Sequence, residues 1–285
     1  MPTIAYLGPE HTNTHVAALK RFGRRARYVH APTVEDVFRL VEREEADYGV
    51  VPIENSLEGA VTHTLDRFID FKHTPVNIVG EIDFSIQHHL ITWPKARLSD
   101  IRVVYSHPQA LAQCRHWLQL HLPTRIRLIE TSSTSDAVEA VAAIDPSLAR
   151  LGIERCEQVA AIARKEAAQK FGLKAMTISD ERENRTRFLT LSLHKPSKSR
   201  RNKTSILFSL KDRPGALYDA LMPFKKEHIN LTKIESRPSK QKAWEYYFFI
   251  DVEGHASEPR VRRALKALGA STLFLRVLGS YPLAK

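Results

Sequence analysis

Over its first two-thirds the chain alternates short apolar runs with stretches whose apolar positions recur at helical spacing. Thr3 to Leu7 reads as a buried strand closed by Gly8-Pro9, and Thr12 or Thr14 is placed to cap a helix through Val16, Ala17, Leu19 and Lys20. Thr33, with Asp36 three residues later, has capping-box spacing and opens a helix from Val34 to Glu44. Tyr48 to Val51 is a strand that Pro52 turns the chain out of, and Val61 to Phe68 is helical. Val79 to Ile91 is strand-like, and Ile101 to Tyr105 is a clear strand. Ser106-His107-Pro108-Gln109 then forms a second capping box with proline in the first turn, where its missing N–H costs least. Arg125 to Ile129 is a strand ended by Glu130, and a hydroxyl-rich turn, Thr131 to Ser135, precedes a helix from Ala137 to Ala143. Val159 to Ala163 is a buried run, Glu166 to Phe171 a helix stopped by Gly172, and Met176 to Ser179 and Phe188 to Leu193 are strands.

Strand alternating with helix predicts a parallel α/β sheet, whose ligands bind beyond the carboxyl ends of the strands near helix N-termini. Glu54, Asn55 and Ser56 fall at such an end; Ser56 serves either as a helix cap or as a ligand contact. Gln113 shares a helix face with Gln109, four residues earlier, and the hydroxyls of Thr131 to Ser135 offer donors to an anion or cap the helix they precede. After residue 203 the order becomes β-α-β-β-α-β, the ferredoxin-like pattern: Thr204 to Leu210, Arg213 to Glu227, Leu231 to Arg237, Trp244 to Glu253, Pro259 to Leu268 and Thr272 to Leu278.

Length supports this division, since 285 residues suit two or three domains. The net charge of +11 draws five cations from Lys195, Lys198, Arg200, Arg201 and Lys203. That run lacks interleaved aromatics and a recognition helix, so it reads as a solvated linker and not as a nucleic-acid surface. Cys114 and Cys156 lie in helical patterns without metal or redox spacing, which predicts core residues, no disulfide and no metal site. No apolar run reaches the roughly 20 residues of a membrane span, and the N-terminus lacks a signal-peptide pattern, so a cytoplasmic protein is expected.

The chemistry concentrates at Asn184-Arg185-Thr186-Arg187-Phe188-Leu189, where a hydroxyl and a guanidinium open an apolar strand. A proton donor beside a fixed cation suits a small carboxylate substrate that must lose a hydroxyl. With Val51-Pro52-Ile53-Glu54-Asn55-Ser56, Glu58-Gly59, Ser106-His107-Pro108-Gln109-Ala110-Leu111, Ser133-Thr134 and Ala161-Ile162-Ala163, in that order along the chain, it resembles prephenate dehydratase. The C-terminal part resembles an ACT regulatory domain through Gly215-Ala216-Leu217 and Glu235-Ser236-Arg237-Pro238.

The resemblance implies a two-lobed catalytic domain similar to type II periplasmic binding proteins, over residues 1–194, followed by a linker at 195–203 and a ferredoxin-like ACT domain at 204–285. Lobe 1 would comprise about 1–78 and 178–194, and lobe 2 about 79–177. The implied reaction turns prephenate into phenylpyruvate, carbon dioxide and water without a cofactor. Thr186, Glu54 and Asn55 would be catalytic, with Thr186 donating to the leaving hydroxyl. Arg187 would clamp a carboxylate, and Thr12, Thr14, Ser56, Ser106, Gln109, Gln113, Glu130 and Phe188 would line the substrate site. L-Phenylalanine would inhibit by binding at Gly215, Ala216, Leu217, Asn230, Leu231, Glu235, Ser236, Arg237 and Pro238 in a homodimer or dimer of dimers. No helical segment precedes Thr3, so no fused chorismate mutase is expected. The chain departs from the family's first motif, with His11 at a glycine position and Asn13 at an apolar one, and places Arg164 where serine is usual. Arogenate dehydration on the same scaffold, and non-catalytic ligand sensing, are the alternatives.

Overall fold

The computed structural model describes residues 1–70, 74–143, 153, 155–178, 183–196, 198–240 and 244–284. Of the sequence expectations, Ser179 lies outside these residues. The chain forms two compact units, one of Met1–Leu7, Lys20–Phe84 and Thr186–Lys285, the other of Gly8–Leu19 and Ser85–Arg185. In chain order the first elements are β1 (Thr3–Leu7), α1 (Asn13–Phe22), β2 (Arg27–Ala31), α2 (Val34–Glu42), β3 (Tyr48–Asn55), β4 (Gly59–Ala60), α3 (Thr62–Asp70) and β5 (Asn77–Ser85). The middle of the chain supplies β6 (His88–Thr92), β7 (Val103–Ser106), α4 (Pro108–Gln113), α5 (Arg115–His121), β8 (Arg127–Glu130), α6 (Thr134–Ala143), β9 (Val159–Ala163), α7 (Lys165–Lys170) and β10 (Lys174–Ile178). The remainder holds β11 (Arg185–Ser192), β12 (Asn202–Ser209), α8 (Ala216–Lys226), β13 (Leu231–Pro238), β14 (Tyr246–Glu253), α9 (Pro259–Ser271) and β15 (Phe274–Pro282).

In the first unit, one sheet runs β2-β1-β3-β11-β5, with β4 attached to β3; β1 is parallel to β2 and β3, and β11 is antiparallel to β3. The Thr33 cap forms as its spacing predicts, its hydroxyl accepting from the Asp36 amide at 3.1 Å. Strand β2 escapes the pattern reading because it is a sheet edge, rich in polar residues and half-exposed. Pro52 does not end its strand. It sits inside β3 opposite a register shift at Arg187/Phe188, where the ladder is already interrupted and a missing N–H costs little. Glu54 and Asn55 therefore lie on a paired strand, and Ser56 lies in the turn to β4, six residues before α3, so it caps no helix.

The C-terminal sheet runs β13-β14-β12-β15, all antiparallel, with α8 and α9 packed through Ala220, Phe224, Val261, Ala264 and Leu268. It is the βαββαβ order that the sequence predicts. Strand β12 starts at Asn202, and Lys203 is buried, so that residue belongs to the sheet and not to a solvated linker. Leu207, Tyr247, Phe249, Leu278 and Tyr281 join the same core as Phe38, Val51, Leu65, Phe68 and Leu189. Phe68 stands at the junction, its ring centroid 5.1 Å from Phe38 and 6.3 Å from Phe249. Gly279 makes this contact possible: a Cβ there would lie 2.0 Å from the Ile78 carbonyl oxygen.

In the second unit the sheet runs β10-β6-β9-β7-β8, parallel among β9, β7 and β8 and antiparallel elsewhere. The strand expected from Val79 to Ile91 is two strands, β5 and β6, one in each unit. The cap of α4 is His107, whose Nδ1 accepts from the Gln109 amide at 3.3 Å, and not Ser106.

Candidate active site

Register in the first sheet places Asn55 opposite Thr186 and Glu54 opposite Arg187. Asn55 Nδ2 donates to Thr186 Oγ1 at 2.9 Å. The orientation of that amide is set by its other end, because Asn55 Oδ1 accepts from the backbone N–H groups of Leu57 (3.0 Å) and Glu58 (3.3 Å) in the turn after β3. The amide must then present its NH2 to threonine. Thr186 Oγ1 accepts that bond, which leaves the hydroxyl hydrogen to donate elsewhere and makes the O–H a better donor.

Successive side chains on a strand point to opposite faces, so Arg187 and Glu54 leave the face that carries Thr186 and Asn55. Arg187, expected to clamp a carboxylate of the substrate, is instead committed to three carboxylates of the protein. Its Nε lies 2.6 Å from Glu54 Oε1, and one terminal nitrogen lies 2.6 Å from Asp251 Oδ2 and 3.1 Å from Glu81 Oε2. Lys203 Nζ reaches Glu81 at 2.7 Å and Lys233 Nζ reaches Glu54 Oε2 at 2.5 Å, giving three cations and three anions in one buried cluster. Asp251 also accepts from Ser205, which is bonded to Tyr281. Burial opposes the charge on Arg187, but Asp251, with Tyr281 and Glu54, outweighs it and raises the guanidinium pKa above its ordinary value. Both Glu54 oxygens are engaged, so Glu54 is a structural anion and not a free base. Phe188, expected beside the substrate, is 1% exposed and meets Phe84 edge-on at 6.4 Å.

The second unit holds the other expected polar residues. Ser106 is fully buried, its hydroxyl donating to the Ile162 carbonyl at 2.7 Å across the sheet, so it fixes β7 against β9 and reaches no solvent. Gln113 Oε1 accepts from Asn184 Nδ2 at 2.8 Å and lies 2.7 Å from His88 Nε2, while Gln109 and Glu130 are exposed. Thr12 caps α1 by accepting from the His15 amide at 3.3 Å, and Thr14 is buried in its first turn. The departures from the family pattern meet here. His11 adopts φ 65°, a conformation natural to the glycine it replaces, and its amide donates to His15 Nδ1 at 3.0 Å. Arg164, after β9, contacts Asn13 Oδ1 at 3.4 Å and Glu166 at 3.2 Å.

The ACT motif residues divide between two faces. Gly215 takes a left-handed φ of 77° as the cap of α8, ahead of Ala216 and Leu217, and Asn230 is exposed before β13. Along β13, Leu231, Lys233, Glu235 and Arg237 are half-buried, whereas Ile234, Ser236 and Pro238 are exposed. Arg237 is bidentate to Asp66 of α3 (3.0 and 3.3 Å), and Lys240 joins it at 2.7 Å. Burial raises the Asp66 carboxyl, yet the bonds from Arg237 and Lys240 outweigh it and hold the pKa below the usual carboxylate value. Glu81, Lys233 and Asp251 did not stand out in the motif reading. For two of them a signal was present: Glu81 stands between Val79 and Ile82, and Asp251 between Ile250 and Val252, where an unpaired charge would be costly. Among the described residues, no cluster of His, Cys, Asp or Glu is arranged to hold a metal ion.

The prephenate dehydratase family model matches residues 4–196, and the ACT domain model matches residues 204–270. Over 281 residues the chain is 48% identical to the bifunctional chorismate mutase/prephenate dehydratase of Aquifex aeolicus, covering 98% of this chain and 73% of that protein. It is 40% identical over 255 residues to the prephenate dehydratase of Methanocaldococcus jannaschii, covering 88% and 86% of the two chains. The crystal structure of prephenate dehydratase from Arthrobacter aurescens in complex with L-Phe aligns with a TM-score of 0.85 at 34% identity, covering 98% of this chain and 90% of that one.

Proposed function

The chain belongs to the prephenate dehydratase family, and we propose that it uses the Asn55–Thr186 pair to assist departure of the ring hydroxyl from prephenate. The reaction is decarboxylating dehydration to phenylpyruvate, carbon dioxide and water. The carbon–carboxylate bond breaks, its electron pair moves through the diene to form the aromatic ring, and the C–O bond at the opposite ring carbon breaks. Hydroxide is a poor leaving group, so a hydrogen-bond donor at that oxygen lowers the barrier. Thr186 is that donor, and Asn55 occupies one of its two lone pairs and keeps its hydrogen directed away from the amide. Threonine is too weak an acid to stay ionised, so the proton that completes the water is replaced from solvent. The observation carrying this reading is the locked Asn55 amide, which donates to Thr186 Oγ1 and so turns the hydroxyl hydrogen away from Asn55, toward another acceptor.

A role in substrate orientation for Gln109, Gln113, Glu130, Thr12 and Thr14 rests on the family resemblance of the motifs that carry them. L-Phenylalanine is the effector, a reading supported by the ACT match and by the ligand in the Arthrobacter relative. The protein works in the cytoplasm as a homodimer or dimer of dimers. The test is phenylpyruvate formation from prephenate by ultraviolet absorbance, beside arogenate as competing substrate, with and without L-phenylalanine. Turnover of prephenate, suppressed by phenylalanine, is expected. A folded protein that consumes only arogenate, or neither compound, overturns the assignment.

A further inference from the structure

The buried cluster joins the catalytic strands to the ACT domain through charges. Glu54 and Asn55 are consecutive on β3, and Arg187 and Thr186 are consecutive on β11. Whatever fixes Glu54 and Arg187 therefore fixes the backbone that carries the donor pair. Two of the groups that do so come from the ACT domain: Lys233 on β13 and Asp251 on β14, themselves opposite each other in register. The space beside Arg187, Ser205, Lys233 and Asp251 amounts to about 20 Å³, room for about one water, so the cluster has little slack to absorb a shift.

We propose that Lys233 is a positioning residue for the dehydration, acting through Glu54 on Asn55 and Thr186, and that this ion pair carries the effector state of the ACT domain to the catalytic strands. Lys233 lies two residues before Glu235-Ser236-Arg237-Pro238 on the same strand. The inward face of β13 holds Glu54 through Lys233, and Asp66 through Arg237. A ligand that shifts this strand moves Lys233 with it. Glu54 must then follow or lose one of its two cations, and either changes the Asn55–Thr186 geometry. Coupling of this kind needs only different ion-pair geometry in the two states.

The proposal rests on the prephenate dehydratase reading, and the test separates the two. Lys233→Met and Lys233→Arg are compared with wild type in the full chain for kcat, KM, phenylalanine inhibition, and phenylalanine binding by calorimetry. Lys233→Met is expected to lower kcat about 10- to 100-fold with KM little changed, as small misplacements of a catalytic group do. Phenylalanine should still bind it, which also reports a folded ACT domain, but should inhibit it far less. Lys233→Arg should recover most of both properties. If wild type turns over prephenate and Lys233→Met matches it in kcat and inhibition, the proposal is overturned alone. If Lys233→Met loses phenylalanine binding together with activity and Lys233→Arg restores neither, Lys233 is structural and the proposal also fails. A wild type inactive on prephenate overturns the functional reading and the proposal together.

Discussion

Asn55 Nδ2 sits 2.9 Å from Thr186 Oγ1, on adjacent antiparallel strands and in direct register. A strand-borne pair holds its geometry better than loop residues would, since both backbones are fixed by the ladder. Thr186→Ala should therefore lower kcat by about 10²–10⁴-fold, the usual range for a general acid, while Thr186→Ser retains part of the activity. Asn55→Ala should cost less, because the hydroxyl survives and only its orientation is lost. Steady-state kinetics on prephenate decide this; equal activity in Thr186→Ala and wild type would remove Thr186 from the chemistry.

Arg187 gives a different expectation from its neighbour. Its side chain is 11% exposed and its partners Glu81 and Asp251 are less so, so truncating it leaves buried carboxylates unpaired. Loss of one partner from a buried ion pair costs about 3–5 kcal/mol, and Arg187→Met should show a loss of that order in urea unfolding. An arginine that served only to clamp substrate would leave the unfolding midpoint unchanged and raise KM alone.

The fold was legible because its elements are locally consistent: capped helices, alternating strands and a change of order at the ACT boundary. The donor pair was legible only as two motifs 131 residues apart, and their meeting depends on register that no local pattern records. Arg187 was misread because Thr186-Arg187 is contiguous in sequence, whereas a strand sends neighbours to opposite faces. Pro52 misled for a related reason, since a proline is tolerated within a strand where the ladder is interrupted, and the shift that leaves Ile53 of the same strand unpaired is set by the partner's register. The docking of the ACT sheet on lobe 1 left one trace, the small residue at Gly279, and glycine alone does not announce which backbone approaches it.

Gly279→Ala tests that docking. The added methyl would overlap the Ile78 carbonyl, a backbone group that cannot swing aside, so β15 and β5 must separate. The variant should lose stability by roughly 1–3 kcal/mol or more and become more sensitive to proteolysis around residues 195–201. Unchanged unfolding and proteolysis would mean that the two sheets separate freely in the native protein.

Acidification should act on the second unit through His15. Burial lowers its pKa below the ordinary histidine value, against Glu10 and with the help of His11, and its Nδ1 must stay unprotonated to accept the His11 amide. A depressed folded pKa means that the contribution is fully present above the unfolded value of about 6.5 and is lost as pH falls through the folded value. His89, lowered by burial and then by Arg164, adds the same sign. The urea midpoint should be lower at pH 5 than at pH 7, and His15→Gln, which retains an acceptor without titrating, should narrow that difference. An identical difference in the variant would assign the effect elsewhere.

Arg164 is the departure most open to a kinetic test. It follows β9 at the carboxyl end of a strand, where ligands of parallel sheets bind, and it meets Asn13 at the start of α1. Glu166 offsets part of its charge and, with Asn13, holds the guanidinium at that strand end, where its cationic plane is suited to a carboxylate. Serine at this position supplies one neutral hydroxyl. Arg164→Ser should therefore raise KM for prephenate about tenfold or more, as expected for losing a charge-assisted hydrogen bond worth roughly 1.5–3 kcal/mol, with kcat nearly unchanged. Combining it with Asn13→Phe restores both family residues and should recover part of the affinity if the two departures compensate each other. A KM unmoved by Arg164→Ser would reduce Arg164 to a partner of Glu166 in holding α7 against β9.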